Sequence, residues 1–148
     1  MNLREQITED MKVALRAKDS ARLGAVRLLL AAIKQREVDE RTTLGDTEVI
    51  GVIEKMLKQR RDSISQYRSA GRDDLADKEQ FEVSVLQAYM PQALSEAEIA
   101  AAIDAAIAAT GAAGVRDLGK VMAAVKPMVV GRADMGKVSQ LIKARLSV

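Results

Sequence analysis

Residues 46–71 read DTEVIGVIEKMLKQRRDSISQYRSAG and carry the clearest helical period in the chain. Val49, Ile53, Met56, Leu57, Ile64 and Tyr67 recur at spacings of three, four and seven, which puts them on one face of a helix. Asp46 or Thr47 opens that helix. Gly71 stops it, as a glycine just past a helix end does. Lys55, Lys58, Arg60, Arg61 and Arg68 lie along the polar side, and a row of this kind reads as a solvated face.

The same period extends outward in both directions. Asn2 and Glu5 form a capping box with Asn in place of Ser, opening a helix carried by Leu3, Ile7, Met11, Ala14 and Leu15. Lys18-Asp19-Ser20 breaks it, and Ser20 is placed to cap a second helix with Leu23, Val26, Leu29, Leu30, Ala32 and Ile33 on its apolar stripe. After Gly71, Asp73 or Asp74 opens a fourth helix whose buried face is Leu75, Val83, Leu86 and Tyr89. Pro91 and the turn Gln92-Ala93-Leu94 then mark a short hinge. Ser95 begins a full capping box with Glu98, and Ile99, Ile103 and Ile107 follow at four-residue steps up to Gly111. No segment alternates as a strand would. The expected fold is all-α, with a four-helix N-terminal part over 1–94 and a three-helix C-terminal part over 95–148.

The final third repeats itself. Asp117-Leu118-Gly119-Lys120-Val121 is echoed seventeen residues later by Asp134-Met135-Gly136-Lys137-Val138. Each copy reads as a helix start, with Asp117 and Asp134 as caps and Gly131 as the turn between them. Leu118, Val121, Met122 and Val125 point inward on the first helix, and Val138, Leu141, Ile142 and Leu146 on the second. Pro127 is expected to end the first of the two, because its ring disfavours helical geometry at Lys126. Both copies also satisfy the glycine and lysine spacing of a phosphate-binding loop. Val121 and Val138 stand where that loop needs a hydroxyl for magnesium, and an Ala-rich helical run precedes Gly114 where it needs a strand. Two capped helices explain the echo; nucleotide hydrolysis does not.

Composition narrows the chemistry. The 148 residues are enough for one domain or two small ones with a real core. Phe81, Tyr67 and Tyr89 are the only aromatics, so the core is built from Leu, Ile, Val, Met and Ala. There is no Cys and no His. That excludes disulfides, thiolate or imidazole metal sites, and every catalytic set that needs a Cys nucleophile or a His base. No cofactor and no metal are expected. The N-terminus is charged where a signal peptide would be apolar, and no run approaches the roughly 18 apolar residues of a membrane span. These features suggest a cytoplasmic protein with no membrane partner. Residues 1–94 are neutral overall, residues 95–115 carry −3, and residues 116–148 carry +5. A basic C-terminal end is a modest footprint for a polyanion.

Several stretches taken together resemble the GatB/YqeY family. They are Leu28-Leu29-Leu30-Ala31-Ala32-Ile33-Lys34, then Ser63-Ile64-x-x-Tyr67-x-x-Ala70-Gly71-Arg72-x-Asp74-Leu75-Ala76. Lys78-Glu79-x-x-Glu82-x-x-x-Leu86-x-x-Tyr89-x-Pro91-x-x-Leu94-Ser95 follows, and last Gly131-Arg132-Ala133-Asp134 with Val138-Ser139. The family comprises small stand-alone proteins and the C-terminal tail domain of the B subunit of the tRNA-dependent amidotransferase. The resemblance covers essentially the whole chain. It implies a helical two-part fold and a link to tRNA, since the tail helps grip the tRNA body while catalysis happens elsewhere. The family label also carries carbon–nitrogen ligation with glutamine as amido donor, for which this chain supplies no catalytic residues.

The expectation is therefore a non-catalytic, tRNA-associated accessory module. It would bind tRNA by shape and backbone, or dock on tRNA-handling enzymes such as an aminoacyl-tRNA synthetase or amidotransferase subunits. Gly131 permits a sharp turn, Arg132 can fork two N–H donors onto a phosphate, and the helix N-terminus adds partial positive charge. Lys120, Lys137 and Lys143 supply further charge. Arg132 also has a structural alternative as a bridge, and Asp134 as a plain cap. Glu79 and Glu82, one helical turn apart, read as salt-bridge partners rather than a cation site. The rival to RNA binding is a protein-interaction module using the Ala-rich helix Glu96–Thr110.

Overall fold

The computed structural model describes residues 1–147. Seven α-helices follow one another with no strand among the described residues: α1 Leu3–Arg16, α2 Ser20–Glu40, α3 Asp46–Ser69, α4 Asp73–Gln87, α5 Glu96–Thr110, α6 Leu118–Val129 and α7 Met135–Leu146. Among these residues no single helix is long and apolar enough to cross a membrane. The chain divides into two compact units, each with its own core, and the break falls between Met90 and Pro91. Residues 91–94, expected with the first part, join the second. Leu94 packs against the second core, and its N–H donates to the Arg132 carbonyl at 2.8 Å.

The first unit holds α1 to α4. Ile7, Val26, Leu29, Ile33, Val49, Ile53 and Leu86 are fully buried at its centre. The capping box at α1 is present: Asn2 Oδ1 accepts from the Glu5 N–H at 2.8 Å, and Glu5 Oε2 accepts from the Asn2 N–H at 3.1 Å. The cap of α2 is Asp19, not Ser20; its carboxylate accepts from the Arg22 N–H, and Ser20 is already helical. Gly71 lies beyond α3 at φ +72°, a left-handed geometry that glycine adopts without strain. Leu15, expected inside, is 52% exposed. Arg60 departs from the solvated row. Its Nε lies 2.8 Å from Glu82 Oε2 and 3.3 Å from Glu79 Oε2, so these two acidic residues of α4 clamp α3.

Among the described residues, one charged residue is buried. Glu37 takes a hydrogen bond from Arg4 Nη2 at 2.8 Å and another from the Leu44 N–H at 2.9 Å. It joins the start of α1, the end of α2 and the loop before α3. The Arg4 guanidinium, and then the Leu44 N–H, hold its carboxyl below the usual glutamate range. Midway along α1, the Tyr89 hydroxyl donates to Asp10 Oδ2 at 2.6 Å.

The second unit packs α5, α6 and α7 around Ile103, Ala106, Val121, Val125, Val129, Val138, Ile142 and Leu146. Two expectations change here. α6 does not end before Pro127 but runs through it to Val129. The ring removes a donor to the Ala123 carbonyl, yet Ala123 and Pro127 are both exposed, so that carbonyl faces water. Val129 is fully buried, and keeping it in register with Val125 and Val121 favours the last helical turn. Leu141 is 47% exposed rather than inside. Val138, Ile142 and Leu146, at four-residue steps, already fill the narrow face that α7 turns to the core.

Candidate nucleic-acid interface

The α6–α7 turn is built by its sequence. Gly131 sits at φ +72°, where a side chain would be strained. The N–H groups of Arg132 and Ala133 both return to the Val129 carbonyl, which closes the end of α6. Asp134 Oδ1 accepts from the Gly136 N–H at 2.9 Å and caps α7. Ser95 caps α5 in the same manner, accepting from the Glu98 N–H.

The first copy of the echo behaves differently. Asp117 ends a 3-10 turn, Val115–Asp117, and its side chain gives α6 no cap. Its carboxylate instead accepts from the Ala113 N–H at 3.0 Å, looking back along the chain. That hydrogen bond leads the causes that hold its carboxyl below the usual aspartate range, with Lys120 and Arg116 contributing less. The repeat in sequence is thus one capped helix and one turn-fed helix.

Arg132 is engaged. Its Nε donates to the Gln92 carbonyl at 2.9 Å, and its Nη2 lies 4.0 Å from Glu98 Oε2. With the Leu94-to-Arg132 backbone bond, it fastens the segment entering α5 to the α6–α7 turn. Its side chain is 38% exposed, so part of the guanidinium edge stays open to solvent. Lys120, Lys137 and Lys143 are exposed and form no ion pair among the described residues; Lys126 joins them. These cations do not form one tight cluster. Arg132 and Lys137 share the α6–α7 turn. Lys120 lies nine residues before Val129, about 14 Å along α6 at 1.5 Å per residue. Lys143 is six residues beyond Lys137, roughly 240° further round α7.

Glu79 and Glu82 are committed to Arg60, and among the described residues no three acidic side chains gather to hold a metal ion. Burial, more than any neighbour, raises the Glu82 carboxyl above its usual range. An open apolar groove of about 260 Å³ is lined by Ala100 and Ile103 of α5 and by Leu141, Ala144 and Arg145 of α7. Arg145 pairs with Asp104 beside it. The sequence points to the Ala-rich helix here but not to Leu141, whose period had placed it in the core. The Arg132-to-Gln92 contact leaves no trace in sequence, because its acceptor is a backbone carbonyl.

A family model described as Yqey-like protein matches residues 4–146. The chain belongs to that family. This is the family of domains like the C-terminal domain of the amidotransferase B subunit. Among curated relatives, the chain is similar to "Altered inheritance of mitochondria protein 41, mitochondrial" of Eremothecium gossypii, at 42% identity over 67% of this chain and 56% of that protein. The proteins of the same name in Pyrenophora tritici-repentis and in Saccharomyces cerevisiae are 31% and 37% identical, over 93% and 56% of this chain. The chain spans about half the length of most of these relatives, with 77% of the Pyrenophora protein the exception. Their names overturn the cytoplasmic expectation, since these relatives are named as mitochondrial proteins. A charged N-terminus is no guide to compartment in a chain that spans about half the length of most of these relatives.

Proposed function

We propose that this Yqey-like chain is a non-catalytic accessory module that associates with tRNA through the backbone-facing cations of its second unit. The observation that carries this is the set of exposed lysines, Lys120, Lys137 and Lys143, which form no ion pair among the described residues. Lys137 shares a turn with Arg132, whose edge stays partly open, and Lys120 and Lys143 lie further along the surface. The likeness to the amidotransferase tail supplies the polyanion. With three aromatics in the whole chain, base stacking has no platform, and contact is to phosphates and helix shape. Amide transfer itself is left to other proteins, as no His or Cys is present to drive it. An aminoacyl-tRNA synthetase or amidotransferase subunits are the proteins such a module would accompany.

The test is binding of the protein to bulk tRNA across a salt series, with Lys120→Glu and Lys137→Glu beside the wild type. The expected plot of log affinity against log salt is linear, and each charge reversal reduces its slope by about 1 or more. Arg132→Glu is the weaker choice of variant, because it also cuts the tie to Gln92. Affinity that ignores salt would overturn the proposal. A protein-interaction role has its own supporting observation in the apolar groove between α5 and α7, where Leu141 stands half-exposed. Leu141→Lys separates the two readings: it leaves tRNA binding unchanged or stronger and abolishes docking of a protein on that groove.

A further inference from the structure

α2 has a second apolar face. Ala21, Gly24, Leu28, Ala31, Gln35 and Val38 follow a 3-4-3-4-3 spacing, the a and d positions of a heptad. All six are exposed, with Leu28 at 47% and Val38 at 59%. The opposite side of the same helix, through Ala25, Val26, Leu29 and Ile33, is already buried in the core of the first unit. An ordinary surface helix is apolar on one side only.

Two further observations say what covers the outer face. Gly24 lies in the helix interior, where glycine weakens a helix relative to alanine. A Cβ built on it meets nothing within 4 Å, so no internal contact explains the missing side chain. The open surface there leaves room for close approach of another backbone. Arg27 and Lys34, seven residues apart, lie along one edge of the seam, exposed and without an ion pair among the described residues, ahead of the left-handed Arg41 that ends the helix. They mark the g positions, where a partner helix places its own charged edge.

We propose that this face of α2 is a docking seam for a helix of another protein, apolar at its own a and d positions and acidic along the edge facing Arg27 and Lys34. Self-pairing fits poorly. An antiparallel second copy sets the two basic rows against each other. A parallel copy sets Arg27 against the apolar Ala32 and leaves Lys34 a single acid, Asp39, which already accepts from Gln35. Nucleic acid would meet the basic row but leave Leu28 and Val38 without a partner. Gln35 is the one polar position in the seam; its Nε2 donates to Asp39 Oδ1, and it fixes register in the way a polar a position does.

The probe is a labelled 21-residue peptide with Leu at a and d and Glu at e and g, titrated with the full chain by fluorescence anisotropy. Its counterpart with Lys at e and g is run in parallel. Binding of the Glu peptide is expected to be at least tenfold tighter than that of the Lys peptide. Leu28→Glu and Gly24→Gln should each weaken it at least tenfold with no fall in Tm. The double variant Arg27→Glu/Lys34→Glu should transfer the preference to the Lys peptide. Equal binding of both peptides, binding of neither, or binding untouched by the two seam variants overturns the proposal. So does displacement of the peptide by tRNA. A wild-type dimer that Leu28→Glu converts to monomer would also overturn it, making a second copy the occupant.

Discussion

Glu37 is the residue on which three segments of the first unit converge, and its chemistry sets a pH dependence. The Arg4 hydrogen bond, and then the Leu44 N–H, lower its folded-state value below the ordinary 4.5. A lowered carboxylate contributes stability that is complete above its unfolded value and lost as pH falls through the folded one. Thermal melts between pH 6 and pH 3 should therefore show a Glu37→Gln variant that is less stable than wild type at pH 6 and converges on it toward pH 3. A constant difference across that range contradicts the assignment. Sequence held a signal for Glu37 that is easy to pass over: it stands four residues after Ile33, on the stripe that faces the core. Its partners Arg4 and Leu44 are brought to it only by the fold. Asp134 was legible as a cap, and its removal has a known scale. Asp134→Ala should destabilise the protein by about 1 kcal/mol, as for other helix caps, read from urea melts. Asp117 stands in an equivalent sequence context, yet its carboxylate turned to Ala113, because a 3-10 turn places that N–H within reach first.

At the scale of elements, hydrophobic period was a good guide to which helices form, and one local breaker, Pro127, misled. The α3 stripe Val49, Ile53, Met56 and Leu57 is buried as its spacing implies, and Gly71 stands just past the end of that helix. Pro127 was expected to stop α6 and does not, since burial of Val129 outweighs one lost hydrogen bond on a solvent-facing side. That balance has a measurable consequence. Pro127→Ala restores a donor for the Ala123 carbonyl and should raise stability by about 1 kcal/mol, a fraction of the roughly 3 kcal/mol for proline in a helix interior. A fall in Tm would mean that the rigid ring matters more in restricting the unfolded chain than in disturbing the helix. Leu141 and Leu15 show the limit of period-based reading. A stripe tells which residues share a face, but the width of the neighbouring core decides how many of them are covered. α2 makes the same point in reverse, with apolar residues left outside after its core face was filled.

At the scale of the whole molecule, two cores were expected and two are present, with the break at Pro91 because Leu94 and Arg132 tie the linking segment to the second unit. The all-α class followed from helical period alone. The candidate interface was legible as a charge count over residues 116–148, but its shape was not. Helical rotation separates Lys137 from Lys143, and the length of α6 separates Lys120 from the α6–α7 turn. Contact would thus be spread along a surface, which suits a helical polyanion better than a single phosphate. The most direct measurement is the two-dimensional amide NMR spectrum of the labelled protein, followed as bulk tRNA is added at low salt. Tail-like binding predicts shifts concentrated at Lys120, at Gly131 to Lys137 and around Lys143, reversed by added salt. A spectrum that does not change, or changes confined to α1–α4, would contradict it.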